Sequence, residues 1–165
     1  MLNNDQFKQL LEEFPECREV FNLQNNQWDN EGAFCRLLEI KGSIPEPLYA
    51  MCLRIIYTED TQDVSTETLV AAFAGVKKEH IMNDEEAEIF NKLPHVIKIY
   101  RGAEDYNEIN PRVSWSLDES VAKGFARYHL FTAEIEKSEI SALFCSGTDE
   151  EEVVAIVGHN FTKVY

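Results

Sequence analysis

The first part of the chain, up to about residue 94, has apolar residues at helical spacing. Phe7, Leu10, Leu11 and Phe14 follow the i, i+3, i+4, i+7 pattern of an amphipathic helix, and Pro15 ends that helix or begins the next. The same spacing predicts helices in two further apolar clusters, one at Phe34, Leu37 and Leu38 and one at Leu48, Met51, Cys52 and Ile55.

Two more helices in this region are predicted from their ends. A short helix starts near Ser65, and Gly75 is the residue type that commonly follows the end of a helix. Asn83, followed three residues later by Glu86, has the form of a capping box. We therefore expect a helix that begins there and runs to Leu93, just before Pro94.

After Pro94 the pattern changes to short segments rich in β-branched and aromatic residues. Six of them predict strands: HVIKIYRG, RVSWS, LFTAEIE, ISALFC, EVVAIVG and FTKVY. Between the second and third, Asp118 can cap a helix whose inner face carries Val121, Ala122 and Phe125. The order of elements predicts an α+β fold, with a helical region at 1–94 and a strand-rich region at 95–165 in one compact domain.

The composition is that of a globular protein. The chain has 165 residues, of which 44% are hydrophobic, and this is enough to build a core. No segment approaches the roughly 20 apolar residues that cross a bilayer, and the acidic, amphipathic start does not have the form of a signal peptide. We therefore expect a cytoplasmic protein that does not contact membranes, while its delivery into another cell stays open.

The charge of the chain bears on its partners. There are 15 basic and 30 acidic side chains, so the net charge is −15. This charge repels phosphate backbones, which argues against direct binding of nucleic acid, and it favours a basic protein partner. A soluble acidic protein with no special partner is the simpler alternative. Residues 1–95 hold 8 basic and 18 acidic side chains, against 7 and 12 in residues 96–165, so the strand-rich region is the better location for an anionic ligand.

The cysteines and histidines show no metal-ligand spacing. The four cysteines include no CxxC pair, and the four histidines are dispersed without an HExxH motif. This pattern predicts reduced thiols in an intracellular protein, with neither a disulfide framework nor a metal site.

Two clusters in the strand-rich region carry polar groups suited to a ligand. In Tyr100-Arg101-Gly102, at a strand end, the guanidinium can bind a phosphate and the glycine lets a ligand approach the backbone, although an arginine there also commonly pairs with a surface carboxylate. In Ser114-Trp115-Ser116, strand alternation points both serines to one face, where their hydroxyls could line a cleft. Ordinary strand polarity around a core tryptophan is the alternative.

The third cluster is acidic and precedes an apolar strand. Glu152 stands where loop becomes strand, just before Val153–Val157, and Glu150 points the same way by alternation. A charge run in this position is otherwise a solvated loop.

Taken in order, these clusters resemble the ADP-ribosyltransferase superfamily, specifically its arginine, serine, glutamate class of mono-ADP-ribosyltransferases and toxins. The resemblance covers about residues 95–165. It consists of the aromatic-Arg strand end, the Ser-x-Ser strand followed by a helix with a spaced Ala and Phe, and the Glu-x-Glu before an apolar strand. It implies a split pair of antiparallel sheets with NAD in the cleft between them and the helical region beside them.

The resemblance also implies how NAD is held. Arg101 matches the contact to the NAD phosphate, and the backbone of Gly102 matches the contact to the nicotinamide carboxamide. Ser114 matches the serine that braces the catalytic site, and Ser116 is its companion in the cofactor site. Tyr128, after the helix, could offer an aromatic face to the nicotinamide ring, with ordinary packing as the alternative.

The catalytic roles implied for the glutamates agree with the chemistry. Breaking the bond between nicotinamide and ribose builds positive charge on the sugar, which a carboxylate stabilises, and Glu152 matches the catalytic glutamate. Glu150 matches the first glutamate of Glu-x-Glu, which accompanies transfer to arginine. A guanidinium is protonated and a poor nucleophile, so a second carboxylate must orient it and take its proton. NAD would thus be a substrate, and no metal is implied.

Three functions remain open at this point. The first is an intracellular, toxin-like mono-ADP-ribosyltransferase that modifies a protein, with arginine as the expected acceptor, and releases nicotinamide. The second is a non-catalytic acidic interaction or inhibitor protein that binds a basic, nucleic-acid-binding partner. The third is a degenerate member of the superfamily that binds NAD without turning it over.

Overall fold

The structure, a computed structural model, describes residues 1–61, 63–104, 113–145, 152–156 and 161–164. The chain divides into two compact units, Met1–Asn83 and Asp84–Tyr165. The second unit contains the helix predicted after Asn83 as well as the strands. None of the helices in the described ranges has the length and apolar character needed to cross a bilayer.

The first unit is helical, as predicted. Its helices are α1 (Asn4–Glu13), α2 (Cys17–Gln27), α3 (Asn30–Ile40), α4 (Glu46–Glu59), α5 (Thr66–Phe73) and α6 (Lys78–Ile81). The predicted start of α5 is confirmed, because the Ser65 side chain accepts a hydrogen bond from the backbone N–H of Thr68. Gly75 follows the helix with a φ of 73°, a conformation that favours glycine. The single turn of α6 was not predicted, because four residues are too few to show a period.

The core of the first unit centres on α4. Leu48, Leu53 and Ile56 of this helix are fully buried. Two polar neighbours donate to backbone within the unit: the Tyr49 hydroxyl to the Ala72 carbonyl at 2.9 Å, and the Gln24 side-chain NH₂ to the Ile56 carbonyl at 2.8 Å. Burial raises the pKa of Tyr49, which keeps its hydroxyl protonated as a donor.

Of the cysteines in this unit, Cys17 and Cys52 are buried, whereas Cys35 is exposed. A hydrogen bond with Cys17, together with burial, raises the pKa of the Cys52 thiol. Cys52 is therefore a neutral core side chain.

The second unit combines helices with strands, and the predicted α+β class is confirmed. Its elements are α7 (Asp84–Lys92), β1 (Val96–Ala103), β2 (Ser114–Ser116), α8 (Glu119–Phe125), β3 (His129–Glu136), a 3-10 turn (Lys137–Glu139), β4 (Ile140–Phe144), β5 (Glu152–Ala155) and β6 (Phe161–Lys163). Each of the six predicted strand segments contains one strand. The reason is that β-branched and aromatic runs fit a pleated, half-buried surface.

The strands form one antiparallel sheet in the order β4-β5-β2-β1-β3-β6. The pairing of β1 with β3 is continuous from Val96↔Glu136 to Ala103↔His129. By contrast, β1 pairs with β2 at one position, Tyr100↔Ser116. Where the resemblance implied a pair of sheets, the described strands thus form a single sheet whose two halves meet at one residue pair.

A single row of residues crosses all six strands. Directly opposite residues in neighbouring strands have their side chains on the same face. The registers place six residues in one such row, in sheet order Phe144, Glu152, Ser116, Tyr100, Thr132 and Thr162. The row brings Glu152 of β5 beside Ser116 of β2 and two strands away from Tyr100 of β1.

Helix α8 starts as predicted and packs closely on β1. The Asp118 carboxylate accepts from the Ser120 N–H at 2.6 Å. Hydrogen bonds from Ser120 lower the pKa of Asp118. Ala122 is buried, whereas Phe125 is 59% exposed and therefore does not belong to the core. The backbone of α8 packs so tightly on Gly102 that no large side chain fits between helix and strand.

Candidate functional site

A cavity of about 270 Å³ lies within the second unit, between β1, β2, the start of β5 and α8. The residues that line it are Tyr100, Arg101, Gly102, Ser114, Trp115, Ser116, Val121, Ala122, Phe125 and Glu152. Five residues predicted for the site are therefore brought together: Arg101, Gly102, Ser114, Ser116 and Glu152. They come from three strands that are adjacent in the sheet, of which β5 is distant in the chain from β1 and β2.

Glu152 is held by a serine of the neighbouring strand. The Ser114 hydroxyl donates to Oε1 of Glu152 at 2.6 Å. A hydrogen bond to a carboxylate is shorter and stronger than one between neutral groups, so it fixes the orientation of the acid. Glu152 is half-buried, and one of its oxygens is thus anchored at the cavity wall.

Ser116 connects the same strand to α8. It lies directly opposite Glu152 in the sheet, and its hydroxyl oxygen accepts from the Asp118 backbone N–H at 3.0 Å. This contact turns the chain out of β2 and into the N-terminus of α8. Ser116 therefore shapes the cavity through the helix and also contributes to its lining.

Arg101 occupies a position that the sequence did not reveal. Alternation along β1 puts it on the same face as Ile97, Ile99 and Ala103, all of them buried. Its guanidinium donates to the backbone carbonyl of Ser114, next to the single residue pair that joins β1 and β2. Arg101 thus fixes the residue whose hydroxyl holds Glu152.

Gly102 is required by the packing of α8. A Cβ atom at this position would lie 2.1 Å from the Ala122 carbonyl oxygen and 2.4 Å from the Ala126 nitrogen. The sequence suggested a close approach of a ligand to the backbone. The observed close approach is that of the helix, which forms one wall of the cavity.

Other predicted residues fall outside this arrangement. Glu150 lies outside the residues that the structure describes. Tyr128 is 61% exposed and is not among the residues that line the cavity; the guanidinium carbon of Arg127 lies 5.8 Å from its ring centroid. Trp115, by contrast, is both buried and among the residues that line the cavity.

Glu86 also supports the site, although the sequence pointed to it only as part of a capping box. The capping-box pattern assigned it to the start of α7, but its buried carboxylate also accepts from the Cys145 backbone N–H at 3.1 Å. Cys145 follows Phe144, which lies opposite Glu152 in the sheet. Glu86 thereby fixes the end of β4 beside the catalytic candidate, and no local signal in the sequence pairs these two positions.

Among the described side chains, no group of three or more His, Cys, Asp or Glu residues is placed to hold a metal ion. Comparisons with protein-family models, with curated proteins and with solved structures find no match to this chain. The function must therefore be inferred from the geometry of the cavity.

Proposed function

We propose that the protein is an NAD-dependent mono-ADP-ribosyltransferase that modifies arginine in an acceptor protein and releases nicotinamide. One observation carries the proposal: Arg101, Ser114 and Glu152 are linked by hydrogen bonds at one cavity. These three residue types, in this order along the chain, define the class that the sequence resembles. The fold proposed with it is of the ADP-ribosyltransferase type, with NAD at the junction of the two halves of the sheet.

The proposed reaction begins with the bond between the nicotinamide nitrogen and C1′ of the ribose. As this bond breaks, its electron pair goes to the nicotinamide, which leaves as a neutral molecule and needs no proton from a general acid. Positive charge develops on the ribose, and the Glu152 carboxylate stabilises it more in the transition state than in the ground state. The Ser114 hydroxyl keeps the carboxylate oriented for this task.

Transfer requires a second carboxylate. A guanidinium nitrogen of the acceptor bonds to C1′ and gives up a proton, because protonated arginine is a poor nucleophile. Glu150 is the residue predicted to accept this proton. Without an acceptor, water attacks C1′ and the products are ADP-ribose and nicotinamide.

The size of the cavity suits one end of the dinucleotide. At about 270 Å³ it lies near the lower end of ligand pockets, which span about 300–1,000 Å³. It therefore has room for the nicotinamide and its ribose, with the rest of NAD extending along the sheet.

The test compares two identical substitutions at different places in the second unit. Glu152→Gln removes the charge at the cavity, whereas Glu88→Gln removes that of an exposed carboxylate on α7 that pairs with Lys92. After incubation with NAD, we expect nicotinamide release and labelling of protein to fall by about 10²–10³-fold in Glu152→Gln. Glu88→Gln should match the wild type, and circular dichroism checks that both variants fold.

The other outcomes favour other functions. Equal activity of Glu152→Gln and wild type would exclude this carboxylate as the catalytic group. A wild type that binds NAD but releases no nicotinamide would be the degenerate member of the superfamily. A wild type that ignores NAD and binds a basic protein in a salt-dependent manner would be the interaction protein.

A further inference from the structure

The sheet face that carries Glu152 also carries a lysine. Tyr100 lies in the same row as Glu152 and Ser116. Lys98 precedes Tyr100 by two residues on β1, so both side chains stand on this face. Lys98 is exposed to solvent, and a cation is therefore available beside the row that leads to the cavity.

The ammonium of Lys98 is directed toward that row. Its Nζ lies 5.2 Å from the centroid of the Tyr100 ring, and Tyr100 is one of the residues that line the cavity. The direct cross-strand neighbour of Lys98 is Glu134 on β3. The lysine thus leans along its own strand, toward the place where a ligand of the cavity would emerge.

A second, open groove lies over β3 and the two strands beside it. It measures about 420 Å³ and is lined by Lys98, Thr132, Ala133, Glu134 and Thr162. Thr132 lies opposite Tyr100 and Thr162 opposite Thr132. The groove therefore continues the same row across β3 and β6, and Tyr100 stands between it and the cavity.

The spacing suits a dinucleotide that extends along this face. Neighbouring strands are about 4.8 Å apart, so the Cα atoms of Glu152 and Tyr100 are separated by about 10 Å. The Cα atom of Lys98 lies about 7 Å further along β1. In NAD the diphosphate is one ribose away from the bond that would be cleaved. With that bond at Glu152, the diphosphate lies toward Tyr100 and within reach of the long lysine side chain.

Arg101 also lines the cavity, but strand alternation directs it away from the face that carries Lys98 and Tyr100, and its guanidinium already donates to the Ser114 carbonyl. We infer that Lys98 binds the diphosphate of the dinucleotide and that the groove holds the adenosine half. Glu134 then faces the adenosine ribose, where a carboxylate can accept hydrogen bonds from ribose hydroxyls. This inference rests on the proposed function for the position of the cleaved bond.

The experiment measures binding and turnover separately. Titration calorimetry gives the dissociation constants of NAD, ADP and adenosine for the wild type, Lys98→Ala, Lys98→Arg and Lys163→Ala. Lys163 is the matched control, because it is exposed on β6 and lies in register with Phe131 and Arg101, on the opposite face. Nicotinamide release gives kcat and KM for the same four proteins.

We expect Lys98→Ala to raise the dissociation constants of NAD and ADP about tenfold, since a charge-assisted contact to phosphate is lost. Adenosine, which has no phosphate, should bind as before. KM for NAD should rise by the same factor with kcat unchanged, which is the pattern of lost ground-state binding. Lys98→Arg should restore most of the affinity, and Lys163→Ala should behave as the wild type.

The failures of the two proposals are distinguishable. Suppose that the wild type releases nicotinamide but Lys98→Ala binds NAD and ADP normally, or that Lys163→Ala loses as much affinity as Lys98→Ala. The role of Lys98 is then overturned and the enzymatic function stands. If the wild type binds NAD without cleaving it, the transferase fails and the Lys98 effect on binding still decides the inference. Absence of any binding of NAD and ADP would overturn both.

Discussion

The Ser114 hydroxyl lies 2.6 Å from a carboxylate oxygen of Glu152, although 38 positions separate the two residues in the chain. A loop of that length is closed only when the sheet has formed, because the register of β2 with β5 sets the two residues side by side. Each residue type could be picked out from the sequence by its motif. Their contact could not, since it depends on which strand becomes the neighbour of which.

In the first unit, the carboxylate of Glu31 has a structural role. It accepts hydrogen bonds from the Thr68 hydroxyl at 2.7 Å and from the Ser65 backbone N–H at 2.9 Å. Burial raises the pKa of this carboxyl, but the hydrogen bonds from Thr68 and Ser65 outweigh it and the net shift is downward. Glu31 therefore stabilises the start of α5 while it is ionised.

This shift predicts a loss of stability in acid. The pKa of Glu31 is lower in the folded chain than in the unfolded one. Its contribution to the free energy of unfolding is therefore complete above the unfolded pKa and is lost as the pH falls through the folded pKa. Glu31→Gln should lower the free energy of unfolding at neutral pH and reduce its further fall between about pH 5 and pH 3. Urea titrations across that range measure both effects. Glu12→Gln, at an exposed position on α1, is the control, and equal pH profiles for the two variants would contradict the prediction.

At the level of elements, α8 and β1 form the wall of the cavity because of one missing side chain. The closest atoms to a Cβ at Gly102 would all be backbone atoms of α8 and the residue that follows it. Backbone cannot move aside as a flexible side chain can. The distance between helix and strand is thus set by glycine at this position.

Gly102→Ala should push α8 away from the sheet. We expect it to destabilise the second unit by about 1–3 kcal/mol, the usual cost of overpacking, and to reduce nicotinamide release because Val121, Ala122 and Phe125 of the cavity move with the helix. Gly124→Ala, within α8 and with no atom near its added Cβ, is the control. It should stabilise the helix by up to about 1 kcal/mol.

Urea midpoints and activity of the two alanine variants provide the measurement. If Gly102→Ala kept the stability and activity of the wild type, the helix would not be held by close contact with the strand. A loss in Gly124→Ala equal to that in Gly102→Ala would mean that glycine matters for some property other than this contact.

The elements were predicted better than their faces. Helices α1, α3, α4 and α5 of the first unit and all six strands follow from periodicity and turn residues, which are local properties of the chain. The inner face of α8 was assigned by the same periodicity, but that assignment takes no account of how closely the backbone of a neighbour approaches, and it did not predict that Phe125 lines a cavity and stays 59% exposed. Arg101 lines the cavity, but the bond from its guanidinium to the Ser114 carbonyl could not be predicted, because it depends on the pairing of β1 with β2.

At the scale of the whole molecule, the net charge of −15 affects encounters with other proteins. A surface of this sign steers positively charged partners toward it and repels acidic ones. The Debye length falls from about 10 Å at 0.1 M salt to about 3 Å at 1 M, so the effect is screened as salt is added.

We therefore expect labelling of a basic acceptor protein to fall more steeply with salt than the release of nicotinamide in the absence of an acceptor. An acidic acceptor of similar size should be labelled slowly at every salt concentration. Rates of both reactions between about 0.05 M and 1 M salt test this. Parallel salt dependence of transfer and of NAD cleavage would show that acceptor encounter is not governed by charge.

The sequence by itself determined the composition of the two regions, the order of helices and strands, the acidic charge and the residue types available for chemistry. These properties depend on each residue and its near neighbours, so periodicity and capping patterns can report them. Only the tertiary structure decided which side chains meet: the bond between Ser114 and Glu152, the bond from Arg101 to the Ser114 carbonyl, the helix against Gly102 and the row that runs from Glu152 to Tyr100 and on toward the groove beside Lys98. Such contacts arise from strand register and close packing between segments distant in the chain, and a shift of one residue in register would move each side chain to the opposite face.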